Sequence, residues 1–310
     1  MAEPPVVGFI GLGAIGRPMA ERILERFSLV ACDLRPDACA PLAGRARIAS
    51  TPAEVAAGSD IVFACLPTLG SYREVVSGEA GLLAGGRAGL YVHVGTTGSA
   101  LVRELESALA GVGVRTLDAP MTGGVPRARD GTLTVMASGP AEAFAAALPV
   151  MECYASKIVH LDGGTGSAQI LKLINNVLSA ANLALAAEAL LMGSKAGLDC
   201  GQMIEVLNSG TGQSDATRTK IPRHVLSGRF DYGGALHITL KDLAAYLEEA
   251  SALGVPAPLG SVVRQAYVRA AALGSPLDDM TSVVCHMEQA SGAELRARAH
   301  RDGAAAAPEI

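Results

Sequence analysis

The chain has 310 residues, of which 50% are hydrophobic and only 18% charged, so it is long enough to bury two hydrophobic cores and too apolar to be disordered. Its formal net charge of −5 gives no electrostatic reason to bind nucleic acid or a membrane surface, and we expect neither as a partner. The six cysteines lack the paired spacing of a metal site and the N-terminus lacks a secretory signal, so we expect free thiols, no bound metal and a cytoplasmic protein.

Up to about residue 160, short β-branched runs alternate with Ala-rich helical stretches. This alternation predicts a doubly wound, mostly parallel α/β sheet. The runs are almost continuously apolar, which indicates strands that helices cover on both faces. We predict strands at residues 6–10, 29–33, 61–66, 90–94, 114–118 and 133–137.

The glycine-rich segment Gly163-Gly164-Thr165-Gly166 separates this part from a region of helical periodicity. We therefore predict an α/β domain over residues 1–163, an all-helical domain over 164–295 and a loose tail over 296–310. The helical domain opens with a long apolar helix over residues 167–196, which we expect to be buried between domains or subunits. Because one small domain covers such a helix incompletely, we expect a homodimer or homotetramer. Further helices are predicted before residue 210 and at 240–253, 261–273 and 276–290.

The first strand leads into the segment Gly11-Leu12-Gly13-Ala14-Ile15-Gly16, which has the glycine spacing of a dinucleotide pyrophosphate site. The first glycine would make a tight turn, the second would let the backbone approach the phosphates, and the third would let helix and strand pack closely. Asp33 follows about twenty residues later, where such sites place a ribose-binding acid. The alternative is a plain strand-turn-helix with incidental glycines.

The residues after the second strand bear on the choice of cofactor. The Asp33 carboxylate would accept hydrogen bonds from the ribose hydroxyls and repel a 2′-phosphate, which favours NAD. Leu34 separates it from Arg35, whose guanidinium could recognise a 2′-phosphate, stack over the adenine or lie in solvent. We therefore predict NAD, with NADP as the alternative.

A second group of candidate residues, Asp118-Ala119-Pro120-Met121-Thr122-Gly123-Gly124, follows a predicted strand at the edge where α/β sheets present ligands. The Thr122 hydroxyl and the amides of Gly123 and Gly124 would hold a substrate carboxylate, since small residues leave backbone N–H groups open to an anion. The alternative is a structural turn in which Asp118 serves only as a cap.

A third group lies on the predicted long helix, where Lys172, Asn175 and Asn176 share one face. A lysine on an apolar helix is costly unless it has partners or a chemical role. A partly desolvated lysine could remove a hydroxyl proton during hydride transfer, and Asn176 could orient it or bind the hydroxyl. The alternative is a lysine that snorkels at the helix rim. Lys241-Asp242, taken alone, indicates a solvated ion pair.

In this order the groups resemble the β-hydroxyacid dehydrogenases, which include 3-hydroxyisobutyrate dehydrogenase, tartronate semialdehyde reductase and, more distantly, 6-phosphogluconate dehydrogenase. The resemblance covers nearly the whole chain. Residues 8–20 resemble the family's opening fingerprint, residues 118–124 its DAPVSGG segment with Thr122 in place of serine, and residues 166–172 its GxGxxxK motif.

The resemblance implies an N-terminal Rossmann-type domain, a C-terminal all-helical domain, and Lys172 as the general acid/base. It implies that Asn176 contacts the substrate, a small β-hydroxy acid or the matching semialdehyde. It also implies cofactor contacts from Leu66-Pro67, from Thr96 beside the nicotinamide ribose, and from Lys241 in a KDL motif.

Two departures from the family pattern concern the substrate. Residues 93–99 retain only Thr96 of a DxSTxxP segment, and Gly234-Ala235 replaces a Gly-Phe pair, which would enlarge the pocket. The alternatives are an imine reductase, which usually carries Asp or Tyr at the lysine position, and a nucleotide-binding scaffold without catalysis.

Overall fold

The computed structural model describes residues 3–297, which form two compact units that divide between Leu173 and Ile174. The first unit holds every strand of the described chain, and the second is helical. The predicted loose tail falls almost entirely on residues 298–310, outside the described residues. The predicted domain boundary at residue 163 stays a prediction.

The first unit is built on a six-stranded parallel sheet in the order β3-β2-β1-β4-β5-β6. The chain winds outwards in both directions from β1, which places a crevice at the carboxyl ends of β1 and β4. The predicted doubly wound α/β sheet is therefore confirmed. The strands are β1 (Val7–Ile10), β2 (Leu29–Cys32), β3 (Arg47–Ile48), β4 (Ile61–Ala64), β5 (Leu90–His93) and β6 (Arg115–Asp118).

A separate three-stranded sheet follows, formed by β7 (Met121–Thr122), β8 (Leu133–Ala137) and β9 (Ala155–His160) in that order. The strand predicted at 133–137 therefore exists but lies outside the parallel sheet. An antiparallel bridge between Asp118 and Ser138 links the ends of β6 and β8. This bridge places Ser138 directly beside the end of the last parallel strand.

Helices cover the parallel sheet on both faces and create two apolar layers. Phe9 and Phe63 stack at 6.3 Å between ring centroids in one layer, and Tyr72 and Tyr91 are fully buried in the other. The helices are α1 (Gly16–Ile23), α2 (Pro36–Cys39), α3 (Pro52–Gly58), α4 (Leu69–Ser77), α5 (Ser99–Ala110), α6 (Gly124–Asp130) and α7 (Ala141–Met151), with 3-10 turns at Ala40–Leu42 and Leu82–Ala84.

The second unit contains most of the long helix α8 and the helices that follow it. Gly197 and Gly254, each with a positive φ, come just after two of the predicted helices, as expected of glycine in the left-handed region. The helices are α8 (Ser167–Lys195), α9 (Cys200–Ser209), α10 (Leu236–Ala252), α11 (Pro258–Leu273) and α12 (Val283–Ser291), with a π-helical segment Ala216–Val225 and a 3-10 turn Met280–Ser282.

One side of α8 is buried within the chain, whereas burial of its other side between subunits stays a prediction. Leu183 and Ala187 are fully buried, whereas Leu178, Leu185 and Met192 are 57%, 66% and 74% exposed. By length and composition alone α8 could also cross a membrane, a test that core helices of soluble proteins pass as well. An apolar stripe on this helix therefore remains uncovered within a single chain.

Candidate cofactor and active site

The glycine loop between β1 and α1 has the geometry that its three glycines were predicted to provide. Gly11 has a φ of 96°, and a Cβ there would overlap the Cys65 carbonyl oxygen. A Cβ on Gly16 would overlap the Gly11 carbonyl oxygen, so α1 packs directly against the loop. A Cβ on Gly13 would meet no atom within 4 Å. The loop is therefore tight where the protein packs on itself and open at the position predicted to face the phosphates.

Asp33 joins this loop to the end of β2. Its Oδ2 accepts a hydrogen bond from the Leu12 amide at 2.7 Å, and its Oδ1 accepts one from the Arg35 amide at 2.9 Å. The Asp33 side chain is 10% exposed, while that of Arg35 is 62% exposed, with Nε 3.5 Å from Oδ1. Leu34 between them is almost fully exposed. The structure thus brings together the glycine loop and the acid that were predicted to bind one dinucleotide.

The other cofactor-side candidates follow neighbouring strands of the same parallel sheet. Leu66-Pro67 comes after β4 and Thr96 after β5, so both lie at the edge that carries the glycine loop. The buried Tyr72 hydroxyl accepts a hydrogen bond from the Leu66 amide at 2.9 Å and donates one to the Ala64 carbonyl at 3.2 Å. Tyr72, which the sequence interpretation missed, therefore fixes the loop after β4.

The predicted carboxylate-binding residues form the turn between β7 and α6. Thr122 ends β7 and is half-buried, and Gly123 and Gly124 have φ values of 133° and 72°. A Cβ on Gly123 would lie 2.7 Å from the Arg127 Cδ, so the arginine stem packs onto this turn. Only glycine adopts both conformations without strain, so the turn carries no side chain at these two positions.

Lys172 lies on the first two turns of α8 and is 9% exposed. A lysine that snorkels at a helix rim keeps its ammonium in water, and the low exposure of Lys172 argues against that alternative. Lys172 belongs to the first unit, together with the glycine loop and the Thr122 turn. The structure therefore places the predicted catalytic lysine in the same compact unit as the cofactor-side residues.

Asp118 does cap a helix, although that helix is α8 rather than one in its own turn. The carboxylate is fully buried and accepts hydrogen bonds from the Gln169 amide at 3.1 Å, the Gln169 Nε2 at 2.7 Å and the Ser138 hydroxyl at 3.3 Å. Burial raises the pKa of Asp118 to about 7, against the opposing effect of these donors and of the Gly166 amide. Asp118 thus holds the N-terminal end of the helix that carries Lys172.

Gln169 joins this cap to the loop after β5. Its Oε1 accepts hydrogen bonds from the amides of Thr97 at 2.8 Å and Gly98 at 3.2 Å, and its Nε2 donates to the Gly95 carbonyl at 2.9 Å. The sequence interpretation assigned Gln169 no role. The usable signal was a glutamine on an apolar helix, which is as costly to bury without partners as a lysine.

His93 contacts the same loop through Thr97, although the sequence interpretation gave it no role. Its Nε2 lies 2.9 Å from the Thr97 hydroxyl and its Nδ1 lies 3.1 Å from the Tyr91 hydroxyl. The ring also packs on Tyr72 at 4.1 Å between centroids. The loop that carries Thr96 therefore rests on a fully buried histidine.

In the second unit, Asp242 joins two further candidates. Its Oδ2 accepts a hydrogen bond from the Asn176 Nδ2 at 2.7 Å, and its Oδ1 accepts one from the Lys241 Nζ at 2.8 Å. Asn175 in turn donates to the Asn176 Oδ1 at 3.0 Å. The side chain of Asp242 is 9% exposed, so the interpretation of Lys241-Asp242 as a solvated ion pair is wrong for the carboxylate.

Comparisons with known proteins agree with this architecture. Residues 6–163 match the model described as the NAD binding domain of 6-phosphogluconate dehydrogenase, and residues 166–287 match the model described as NAD-binding of NADP-dependent 3-hydroxyisobutyrate dehydrogenase. The chain is 34% identical to 2-(hydroxymethyl)glutarate dehydrogenase of Eubacterium barkeri, over 93% of this chain and 97% of that protein. It is 35% identical to mitochondrial 3-hydroxyisobutyrate dehydrogenase of Homo sapiens, over 91% of this chain and 87% of that protein.

Among solved structures, that of Mycobacterium tuberculosis 3-hydroxyisobutyrate dehydrogenase with L-serine is similar, with a TM-score of 0.84 and 28% identity over 92% of this chain and 99% of that chain. An imine reductase of Streptomyces aurantiacus shares the fold with a TM-score of 0.60, but only 22% identity. The imine reductase alternative is therefore the more distant one.

Proposed function

The chain belongs to the β-hydroxyacid dehydrogenase family and is an NAD(P)-dependent dehydrogenase of hydroxy acids, and we propose that Lys172 exchanges the hydroxyl proton of its substrate. The observation that carries this proposal is the burial of Lys172 on a helix whose N-terminal end is hydrogen-bonded to the end of β6 and to the loop after β5. A buried amine so fixed is suited to proton transfer, because its position and its solvation are both controlled.

In the oxidative direction, the substrate hydroxyl gives its proton to the Lys172 amine, and a C=O bond forms as the carbinol C–H bond breaks. The bound nicotinamide supplies the acceptor for the hydride that leaves this carbon. In the reductive direction, the Lys172 ammonium returns the proton to the new alkoxide oxygen. The lysine must therefore be neutral to begin oxidation and charged to begin reduction.

Substrate orientation is assigned to the residues on either side of the lysine. The Thr122 hydroxyl and the amides of Gly123 and Gly124 would bind the carboxylate, since a turn with uncrowded N–H groups suits an anion. Asn176, one helical turn after Lys172, would bind the substrate hydroxyl. The named relatives act on, or are solved with, 2-(hydroxymethyl)glutarate, 3-hydroxyisobutyrate and L-serine. Because all three carry a hydroxyl on the carbon β to a carboxylate, we assign a β-hydroxy acid or its semialdehyde.

Cofactor contacts are assigned to the glycine loop, residues 11–16, and to the loops that follow the neighbouring strands. Asp33 would bind the ribose hydroxyls, so we propose a preference for NAD over NADP, with Leu34 and Arg35 beside the adenosine. Leu66, Pro67, Thr96 and Lys241 complete the proposed contacts.

The exposed stripe of α8 supports a proposal on assembly. Leu178, Leu185 and Met192 are apolar and more than half exposed, and burying them against another copy would remove this surface from water. We assign a homodimer or homotetramer and a cytoplasmic location, with domains at 1–163 and 164–295.

The test compares wild type with Lys172→Ala on a panel of β-hydroxy acids, with NAD and with NADP. We expect Lys172→Ala to lower kcat by about 10²- to 10⁴-fold, as for other general acid/base residues, while NAD affinity stays close to wild type. Added alkylamines should restore part of the rate, because they replace the missing proton acceptor. Lys157→Ala is the matched control, since Lys157 lies on the exposed face of β9.

Wild-type turnover in Lys172→Ala would overturn the proposed mechanism. If wild type reduces cyclic imines but oxidises no hydroxy acid, the imine reductase alternative is correct. Binding of NAD without turnover of either class would identify a scaffold.

A further inference from the structure

Resting on the proposed function, we propose that Gln169 is a positioning residue that fixes the loop bearing Thr96 to the helix bearing Lys172. It would thereby set the nicotinamide relative to the group that exchanges the proton. Gln169 has no direct contact with substrate in this proposal. It acts through Thr96 on one side and through α8 on the other.

The Gln169 side chain makes an unusual number of hydrogen bonds. Both polar atoms of the Gln169 amide are used twice: Oε1 accepts from Thr97 and Gly98, and Nε2 donates to the Gly95 carbonyl and to Asp118. Gln169 is fully buried, and three of these four bonds are buried while the bond to the Gly95 carbonyl is partly so. Its side chain therefore holds both ends of the four-residue loop over residues 95–98.

Gln169 lies close to Lys172 along the helix. Lys172 lies three residues later on α8, which is less than one helical turn and about 4.5 Å of axial rise. The backbone amide of Gln169 also donates to Asp118, so the residue is fixed at both its main chain and its side chain. Any shift of Gln169 therefore shifts the start of the lysine helix, the loop, or both.

A glutamine side chain matches the donors and acceptors around position 169. The loop presents two donors and one acceptor, and Asp118 presents another acceptor. A primary amide has one oxygen with two lone pairs and one NH2 with two hydrogens, which matches this set completely. Glutamate has no donor when ionised, and leucine has neither donor nor acceptor, so each breaks a defined part of the pattern.

The experiment measures kcat, NAD affinity, the deuterium isotope effect on kcat and thermal stability for Gln169→Leu and Gln169→Glu. We expect kcat to fall about 10- to 100-fold in both, as expected for a misplacement of about 1 Å, and the isotope effect to rise as hydride transfer becomes limiting. NAD affinity should change less than about threefold, because the hydrogen bonds of Gln169 go to Asp118 and the loop over residues 95–98, not to the glycine loop or Asp33. A role in folding alone would lower thermal stability and leave kcat and the isotope effect unchanged, which would overturn the proposal.

A double variant makes the test independent of folding losses. In Asp118→Asn/Gln169→Glu, the amide introduced at 118 donates to the carboxylate introduced at 169, which still accepts from Thr97 and Gly98, so that only the bond to the Gly95 carbonyl is lost. We expect kcat of the double variant to exceed that of Gln169→Glu at least threefold. A double variant no better than Gln169→Glu would refute the positioning role.

Ser59→Ala is the matched control, because it removes another fully buried hydrogen bond of the first unit, from the Ser59 hydroxyl to the Val55 carbonyl. We expect a loss of thermal stability with wild-type kcat. Full activity of Lys172→Ala would instead overturn the proposed role of Lys172 itself, whatever the Gln169 variants show.

Discussion

Changing Gly13 to alanine should separate cofactor binding from folding. A Cβ at this position would meet no protein atom within 4 Å, and the backbone is outside the left-handed region that favours glycine. The folded protein should therefore tolerate the methyl group, and the free energy of unfolding should stay constant or rise by up to about 1 kcal/mol, since alanine restricts the unfolded chain. The same methyl would occupy the space through which the backbone approaches a pyrophosphate. Losing one charge-assisted hydrogen bond costs about 1.5–3 kcal/mol, so NAD should bind about 10- to 150-fold more weakly.

Gly16→Ala supplies the contrast, because its methyl group would overlap the Gly11 carbonyl oxygen and lie 3.2 Å from the Phe9 ring. Overpacking of this kind typically costs about 1–3 kcal/mol of folding free energy. Urea denaturation of the cofactor-free proteins measures stability, and titration of NADH fluorescence measures affinity. The reasoning is refuted if Gly13→Ala destabilises the protein as much as Gly16→Ala does, or if it binds NAD as wild type does.

Two further predictions concern buried charges. Asp118 keeps its proton up to about pH 7 in the folded protein, whereas the unfolded chain releases it near the ordinary pKa of 3.8. The free energy of unfolding should therefore fall by up to about 4 kcal/mol as pH rises from 4 to 7, and level off above pH 7. Urea denaturation across this range should show no such fall for Asp118→Asn. In the second unit, the almost fully buried Lys220 donates to Asp215 at 2.6 Å and to Ser179 at 2.9 Å, while the Asp215 side chain is 61% exposed. Asp215→Ala should lower the free energy of unfolding by about 2–4 kcal/mol, because it leaves a buried ammonium without its carboxylate. Lys220→Met should lower it by less than about 1 kcal/mol, because the Asp215 carboxylate is then free to be hydrated. Equal losses of the two variants in urea denaturation would contradict this account.

The elements that the sequence predicted well are those whose burial is visible locally. β1, β2, β4 and β5 are buried at every residue, so each is an unbroken apolar run. β9 was missed because five of its six residues are at least partly exposed and polar side chains interrupt it. The π-helical segment was missed because it contains Pro222 and buries a lysine, which gives no apolar period.

Helix ends show the same division between local and distant causes. The end of α10 was predicted within one residue, since Gly254 follows it with a φ of 68°. Its start was predicted four residues late, at 240. The amides of Leu236 and His237, at the true start, donate to the carbonyls of Asp278 and Pro276, some forty residues away. The sequence near the start gives no sign of those partners.

The residues of the candidate site show the same difference between local and distant determinants. In the first loop, the spacing of three glycines after a strand was enough to identify Gly11 and Gly16 as positions where a Cβ would clash. The hydrogen bonds of Gln169 join residues 51 to 74 positions apart, so no window of sequence contains both partners. Only the cost of burying an amide pointed to them, and that argument says that partners exist without saying which.

The residues around the proposed active site differ in how strongly the surrounding structure constrains them. The bonds that fix Asp118, Gln169 and the loop after β5 are buried, and a change in any one of them leaves a polar atom without its partner. Two other positions are less constrained by side-chain contacts: a Cβ on Gly234, beside Ala235, would meet only Met280, at 3.8 Å, and Arg127 beyond the Thr122 turn is exposed. We therefore expect substitutions at Arg127 or Ala235 to change substrate preference with less loss of stability than substitutions at Asp118 or Gln169.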